Sequence, residues 1–202
     1  MAGAKRDPEK FADRKLVHYY ASTAQAGPSR LVLRALEHAG GSSAVDIGCG
    51  IGRDTLVLSR RGYRVLAIDH APGAILVLRR LRLPGVTPRL GDFRRARLPA
   101  GAFDLVHASL ALPLAGPTAL PRLVGRLARS LRPRGVLSFH LFGPRHPLNR
   151  PGADIAFHTR RDAVALVAAT GRLEILELRE RRPRPPSGLH LFEVIARSSV
   201  RQ

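Results

Sequence analysis

The sequence predicts an α/β fold, a doubly wound and mostly parallel sheet with helices on both of its faces. Two observations predict it. Apolar runs with the length of buried strands alternate along the chain with helical segments, and neither repeats nor a low-complexity linker interrupt them. The first apolar run also ends in a glycine-rich turn that leads into a helix and a second apolar run, which is the order of a parallel βαβ unit.

Helices are predicted at residues 11–23, 29–38, from Arg53 onward, 72–81, 118–131 and 159–170. Ser29 follows Pro28 and is a suitable N-cap for the second of these helices. Thr159 and Asp162 have the spacing of a capping box with aspartate in place of glutamate, which predicts the start of the last helix. The Pro-Arg-Gly segment 133–135 predicts where the helix before it ends.

Strands are predicted at residues 44–47, 64–69, 87–90, 103–108, 136–142, 173–178 and 189–196. Most are short apolar runs of the kind that buried strands have. The third strand is short and runs into Gly91, and a turn at residues 99–102 precedes the fourth. The last two strands close the chain.

The glycine-rich turn is the most informative motif. The run 44–47 ends in Gly48, Gly50 and Gly52, and the second run ends seventeen residues later in Asp69. Glycine allows a sharp turn and lets a ligand approach the backbone closely. Because a carboxylate at the end of the second strand suits two ribose hydroxyls, the motif predicts a nucleoside site.

Charge indicates which nucleoside. A dinucleotide site places a third glycine where this chain has Arg53, and it sets a pyrophosphate on the helix N-terminus. Here Asp54 lies in the first helical turn and Asp46 lies just before the loop, and both would repel a pyrophosphate. They suit a ligand with a cationic amine and a sulfonium. The motif therefore predicts S-adenosylmethionine, with S-adenosylhomocysteine as product.

Composition indicates a single domain of 202 residues. No apolar run approaches the roughly 20 residues that span a bilayer. The polar N-terminus also lacks the apolar segment of a signal peptide, so we expect a cytoplasmic protein without membrane contact. The single cysteine, Cys49, excludes an intramolecular disulfide, and no spacing resembles a zinc site, so no metal is expected.

The formal net charge of +19 would attract RNA, DNA or an anionic small molecule. Arginine outnumbers lysine 31 to 3, however, which also suits a GC-rich genome, and the arginine pairs are scattered over different elements. Aromatic residues make up only 5% of the chain, so few side chains could stack on bases. A small-molecule partner is favoured, while a nucleic-acid partner and a codon-bias origin of the charge both stay open.

Motifs along nearly the whole chain follow one family pattern: Tyr19-Tyr20, Gly52-Arg53-Asp54-Thr55, and the segments 108–113, 133–135, 157–160 and 189–192. Together they resemble the class I methyltransferases, in particular the small stand-alone enzymes grouped with the tellurite-resistance and thiopurine methyltransferases. The resemblance implies a Rossmann-like, seven-stranded sheet with the last strand antiparallel. It also implies one domain over 1–202, with leading helices as a lid (1–40), a cofactor-binding core (41–142) and a C-terminal part with the substrate loop and closing strands (143–202).

The resemblance implies cofactor contacts by Tyr20, Asp46, Gly48, Cys49, Gly50, Gly52, Arg53, Asp69, His70, Asp92, Phe93, Ala108 and Ser109. Asp69 would hold the ribose diol, Asp46 would face the amino group, and a lid tyrosine would close over the sulfonium. Asp92 would accept from the adenine amino group or is a turn residue. His70 would lie over the adenine or at the surface, and Arg53 would meet the cofactor carboxylate or simply begin a helix.

A protonated acceptor needs a base, and histidine is the usual choice. His140 is the first candidate because it lies near the end of the fifth strand, where open α/β sheets place their sites. His107, on the strand face opposite Val106, is the second. The segment 109–113 stands where enzymes that methylate exocyclic amines of DNA or glutamine carry an Asn-Pro-Pro-Tyr type motif, which argues against those substrates.

These observations favour a methyltransferase for a small molecule such as a metabolite, xenobiotic or secondary metabolite. An RNA methyltransferase recruited by the basic surface and a cofactor-binding protein without methyl transfer are the alternatives. Acceptor contacts are expected in the leading helix and in segments 112–118 and 143–157, with Arg145 and Arg150 available for an anionic group. The oligomeric state is left undetermined.

Overall fold

A computed structural model describes residues 27–183 and 188–200. The predicted helix at 11–23, with Tyr20, lies outside the described residues. The helices are α1 (Arg30–His38), α2 (Arg53–Arg60), α3 (Pro72–Arg80), a 3-10 helix (Leu112–Ala115), α4 (Leu120–Ser130) and α5 (Arg160–Ala168). The strands are β1 (Ser43–Ile47), β2 (Arg64–Asp69), β3 (Val86–Leu90), β4 (Phe103–Ala108), β5 (Leu131–Phe142), β6 (Leu173–Arg181) and β7 (Leu191–Ser198).

The seven strands form one sheet in the order β3-β2-β1-β4-β5-β7-β6. Strand β7 is antiparallel to both of its neighbours, whereas the pairs from β3 to β5 are parallel. The predicted fold class is therefore confirmed. The order reverses between β1 and β4, and a crevice opens there at the carboxyl ends of the strands.

Helices cover both faces because alternate strand residues point to opposite sides. Ala44, Leu105 and Val136 pack with α1, α2 and α3 in one core cluster. Their neighbours Val45 and Val106 pack with α4 and α5 in the other. None of the described helices has the length and apolar character that a membrane span requires.

The helix caps that the sequence predicts are present in the structure. Ser29 caps α1 by accepting from the Val32 amide, and Thr159 with Asp162 forms the predicted capping box of α5. Strand β5 begins earlier than predicted, directly after α4. Its residues 132–135 form a bulge, because β4 pairs first with Leu131 and then with residues from Val136 onward.

Candidate functional site

A cavity of about 510 Å³ lies where β1, β2, β4 and β5 end. This volume falls in the range of small-molecule sites. Among the described residues its lining comprises Asp46, Gly48, Cys49, Gly50, Ile51, Arg53, Asp54, Asp69, His70, Phe93, Ser109, Leu110, Ala111, Leu114, Phe142, His146, Pro147, Leu148 and Leu189. The predicted site residues thus come together at the switch point of the sheet. The exceptions among the described residues are five, and they are discussed below: Gly52, Asp92, His107, Ala108 and His140.

All three glycines of the motif are left-handed, and the first two shape the loop itself. Gly48 has a φ of 66° and Gly50 a φ of 54°, a region that other residues adopt at a cost. A side chain on Gly48 would also place its Cβ 2.5 Å from the Cβ of Ala111. The loop after β1 and the turn after β4 therefore approach each other as closely as their backbones allow.

Gly52 serves a different purpose. It caps α2 with a φ of 91°, and a Cβ there would lie 2.4 Å from Leu78 of α3. It is not among the residues that line the cavity. The third glycine of the motif therefore permits helix packing, and its contact with the cofactor stays a prediction.

Asp69 is fixed at the edge of the loop by two backbone amides. Its carboxylate accepts from the amide of Gly50 at 2.8 Å and from that of Ala71 at 2.9 Å. His70 beside it is exposed, and its Nδ1 lies 3.4 Å from Asp69 Oδ1. The carboxylate is thus preorganised at the position where the sequence predicts a ribose contact.

Asp46 and Asp54 add two further buried carboxylates. Asp46 accepts from the hydroxyl of Thr55 at 2.6 Å, and burial, with the nearby charges of Asp54 and Asp69, raises its pKa to about 6. Three acids at one cavity in a chain of net charge +19 indicate a site for a cationic ligand.

Asp54 is held differently from Asp46. It accepts from the Ser29 amide at 2.7 Å and from Nε2 of His107 at 2.9 Å. Burial would raise the pKa of Asp54, but these hydrogen bonds and the charge of His107 hold it well below its usual range. Asp54 therefore stays ionised and ties α2 to the start of α1 and to β4.

The two histidines predicted as bases both lie behind the cavity wall. His107 is fully buried, with Nε2 on Asp54 and Nδ1 2.8 Å from the hydroxyl of Ser138. His140 accepts at Nδ1 from the amide of Leu110 at 3.3 Å. Neither lines the cavity, so this arrangement gives no support to their prediction as general bases.

His140 instead supports a cavity residue. Leu110 has a φ of 57°, unusual for a residue with a side chain, and its amide is bound by the buried His140 ring. On its other side, Nε2 of His140 lies 3.8 Å from Oε1 of Glu193. The ring thus fixes the turn after β4, where Ser109 lines the cavity.

Two predicted cofactor contacts also lie away from the lining. Ala108 is fully buried inside β4. Asp92 is partly exposed, and its carboxylate binds Arg94 through Nε at 3.0 Å and Nη2 at 2.9 Å. Phe93 does line the cavity, and its contact with the cofactor stays a prediction. The role of Asp92 toward an adenine stays a prediction, as does that of Tyr20, which lies outside the described residues.

The far end of the cavity is apolar. Its lining there consists of Leu114, Phe142, His146, Pro147, Leu148 and Leu189, which we call the apolar end. Residues 114 and 146–148 fall within the segments predicted for the acceptor, whereas Phe142 and Leu189 were not predicted. Arg145 and Arg150, predicted for an anionic group, are not among the lining residues.

The residues present fit S-adenosylmethionine. The glycine loop leaves room for a ligand beside its backbone, and Asp69 presents a fixed carboxylate for a diol. The raised pKa of Asp46 shows an acid cluster that a neighbouring cation would stabilise. At the opposite end, two strands and about 10 Å away along the sheet, the apolar end leaves space for a second molecule.

The core of the chain is similar to known protein sequences. Residues 44–135 match the family model described as a methyltransferase domain. A trans-aconitate 2-methyltransferase from Methylobacterium nodulans is 34% identical over 170 residues, which cover 80% of this chain and 59% of that protein. The chain spans about half the length of the curated relatives that it matches.

Solved structures share the whole fold. The 1,6-didemethyltoxoflavin-N1-methyltransferase of Burkholderia thailandensis, solved with 1,6-didemethyltoxoflavin and S-adenosylhomocysteine, has a TM-score of 0.73 at 21% identity, over 99% of this chain and 94% of that one. TehB from Haemophilus influenzae has a TM-score of 0.71 at 16% identity, over 90% and 66%. At these identities the likeness concerns the fold.

Proposed function

Because this chain belongs to the class I S-adenosylmethionine-dependent methyltransferases, we propose that it transfers the methyl group of S-adenosylmethionine to a small-molecule acceptor. One observation carries the proposal. Three buried carboxylates, Asp46, Asp54 and Asp69, surround a glycine loop at one end of a cavity whose other end is apolar.

The chain's residues bind and orient in this reaction. Asp69 accepts from the ribose hydroxyls, and the ionised Asp54, with Asp46 beside it, stabilises the positive charges of the cofactor. When bound, S-adenosylmethionine supplies a methyl group already activated by its sulfonium, so placement of an acceptor in line with it is the main task of the protein.

A small acceptor is supported by the shape of the site. The apolar end is part of the same cavity as the glycine loop, and its volume suits a small molecule beside the cofactor. The relatives point the same way, since one is named for trans-aconitate and one was solved with 1,6-didemethyltoxoflavin.

The first experiment measures cofactor binding and methyl transfer separately. Isothermal titration with S-adenosylhomocysteine should show binding to the wild type, at least about tenfold weaker binding to Asp69→Asn, and unchanged binding to the exposed control Glu37→Gln. Equal affinity of all three proteins would contradict the site.

Radiolabelled S-adenosylmethionine is then incubated with the protein and an extract of the source cells, and the products are separated by size. Label in small molecules supports the proposal. Cofactor binding without any label in the products would instead support a binding protein without methyl transfer.

An RNA methyltransferase is the second candidate, favoured by the net charge of +19 alone. It predicts label in nuclease-sensitive polymer. Because counterions are released when lysine and arginine bind phosphates, it also predicts activity that falls steeply between low and moderate salt. Salt-insensitive transfer would count against it.

A further inference from the structure

His146 has a fixed place at the apolar end of the cavity. Its ring stacks on Phe142 with centroids 3.9 Å apart and planes within 4° of parallel. Its Nδ1 accepts from the amide of Leu148 at 3.2 Å. A neutral ring whose Nδ1 accepts carries its proton on Nε2, so this contact determines the tautomer.

The loop that carries His146 is itself held rigidly. His190 accepts from the amide of Arg145 at Nδ1 (3.1 Å) and lies 3.0 Å from Glu180 through Nε2. The Gly143 amide also donates to the carbonyl of His190 at 2.8 Å, and a Cβ on Gly143 would lie 2.4 Å from that ring. The orientation of His146 is therefore set before any ligand binds.

Nε2 of His146 is a donor without a partner among the described residues. Burial, together with the nearby His190, lowers the pKa of His146, so the ring is neutral near pH 7. To act as a base, Nε2 would have to lose its proton to Nδ1, which would then face the Leu148 amide. His146 can therefore donate a hydrogen bond to a ligand but is poorly placed to accept a proton from it.

No other described group at the apolar end can take a proton from an acceptor. The three cavity carboxylates lie at the other end. Counted from β5, Asp46 on β1 is two strands away and Asp69 on β2 is three strands away. Cys49 also lies at that end, and burial strongly raises the pKa of its thiol. The described residues of the apolar end therefore suit an acceptor whose nucleophilic atom is already deprotonated when it binds.

We infer that the acceptor is a carboxylate with an apolar body, and that His146 recognises it by donating from Nε2 to one carboxylate oxygen. The inference rests on the proposed function and adds its substrate class. A carboxylate needs no base, accepts the hydrogen bond that Nε2 of His146 can donate, and is attracted by a protein of charge +19.

The step balances without a proton transfer. A lone pair of the free carboxylate oxygen forms the new bond to the methyl carbon. The bond from that carbon to sulfur breaks, and its electron pair stays on sulfur. The negative charge of the acceptor and the positive charge of the sulfonium both disappear, leaving a methyl ester and a thioether.

The test uses phenylacetate as the probe and phenylacetamide, of the same shape but uncharged, as the control ligand. Both are titrated into protein saturated with S-adenosylhomocysteine. We expect phenylacetate to bind at least about tenfold more tightly than phenylacetamide, because a hydrogen bond to a charged group is the stronger kind. Equal binding of the two would overturn the inference.

Three variants separate a donor from a base. His146→Leu should lose about tenfold or more in phenylacetate affinity, whereas His146→Gln, whose side-chain amide can donate, should stay within about threefold of the wild type. His158→Gln, outside the lining, is the matched control. Equal losses in the leucine and glutamine variants would overturn the inference.

The ring itself gives an independent readout. Nitrogen-15 spectra of the histidines should show His146 protonated on Nε2 at neutral pH, and this signal should move with phenylacetate but not with phenylacetamide. A proton on Nδ1 would overturn the inference.

Titration of S-adenosylhomocysteine into the wild type and each variant tests the proposed function separately. If the wild type does not bind S-adenosylhomocysteine, the proposed function fails. If all of the proteins bind it, a failure of the phenylacetate experiments concerns the acceptor alone.

Discussion

The pair of Asp54 and His107 should make a large contribution to stability. Asp54→Ala removes the partner of a fully buried histidine at 2.9 Å and of the Ser29 amide at 2.7 Å. Breaking a buried pair in this way costs about 3–5 kcal/mol. As a matched control, Asp92→Ala removes a partly exposed contact with Arg94, and such pairs contribute only about 0–1 kcal/mol.

Urea unfolding, followed by circular dichroism, measures both variants against the wild type. If Asp54→Ala costs no more than Asp92→Ala, the assignment of Asp54 as a structural anchor is wrong. The same result would mean that the Ser29 and His107 contacts are compensated by water in the variant.

The pH dependence of the pair follows from the two pKa shifts. The pKa of Asp54 is lowered in the folded protein, so its contribution is present above the ordinary value of 3.8 and is lost as the pH falls through the folded pKa. Burial would lower the pKa of His107, but the hydrogen bond and charge of Asp54 outweigh it and the pKa is raised. Its contribution is present below the ordinary value of 6.5 and is lost as the pH rises through the folded pKa.

The cost of Asp54→Ala should therefore be greatest between pH 3.8 and 6.5 and should shrink in alkaline solution. In the variant, burial acts on His107 without its carboxylate partner, so its pKa should fall below the ordinary value. Histidine resonances followed by NMR over this range check the change. A cost that is constant with pH would refute the electrostatic reasoning.

Three further predictions concern the cavity. Asp69→Asn should weaken S-adenosylmethionine binding by tenfold or more, from the loss of about 1.5–3 kcal/mol of charge-assisted hydrogen bonding, and titration calorimetry with near-normal affinity would contradict it. Gly48→Ala should lower the free energy of unfolding by about 1–3 kcal/mol, because its φ of 66° and the 2.5 Å approach to Ala111 both oppose a side chain; an unchanged urea midpoint would refute this. His140→Phe leaves the Leu110 amide without its acceptor and should lower the free energy of unfolding by about 1–3 kcal/mol. The variant should also raise the KM of the methyl acceptor while leaving cofactor affinity within about twofold of the wild type. Parallel losses of both affinities would contradict a role confined to the turn after β4.

Local signals in the sequence predicted the elements well. The bounds of β2 and β4 coincide with the predicted ones, and the caps at Ser29 and Thr159 form as their spacing predicts. The start of β5 was missed because it depends on pairing: β4 extends its partner back to Leu131 across a bulge, and no pattern within the segment announces that contact.

The candidate site likewise has one part that the sequence predicted and another part that it did not. The glycine loop and Asp69 were predictable because strand, turn and helix are contiguous, so their spacing along the chain already fixes their spacing in the fold. The histidines were not. His140 does lie near the carboxyl end of β5 as predicted, but its side chain accepts from the turn after β4 and faces Glu193 of β7.

The sequence by itself thus determined the fold class, the order of the elements and the glycine-loop end of the cavity, since these follow from local periodicity, turn chemistry and one contiguous motif. Only the tertiary structure decided which titratable groups reach the cavity. It buried His107 against Asp54, set His140 behind Leu110 and brought His146 to the apolar end. The physical reason is that the surroundings of a side chain depend on strand register and on contacts between residues far apart in the chain, which no short stretch of sequence encodes.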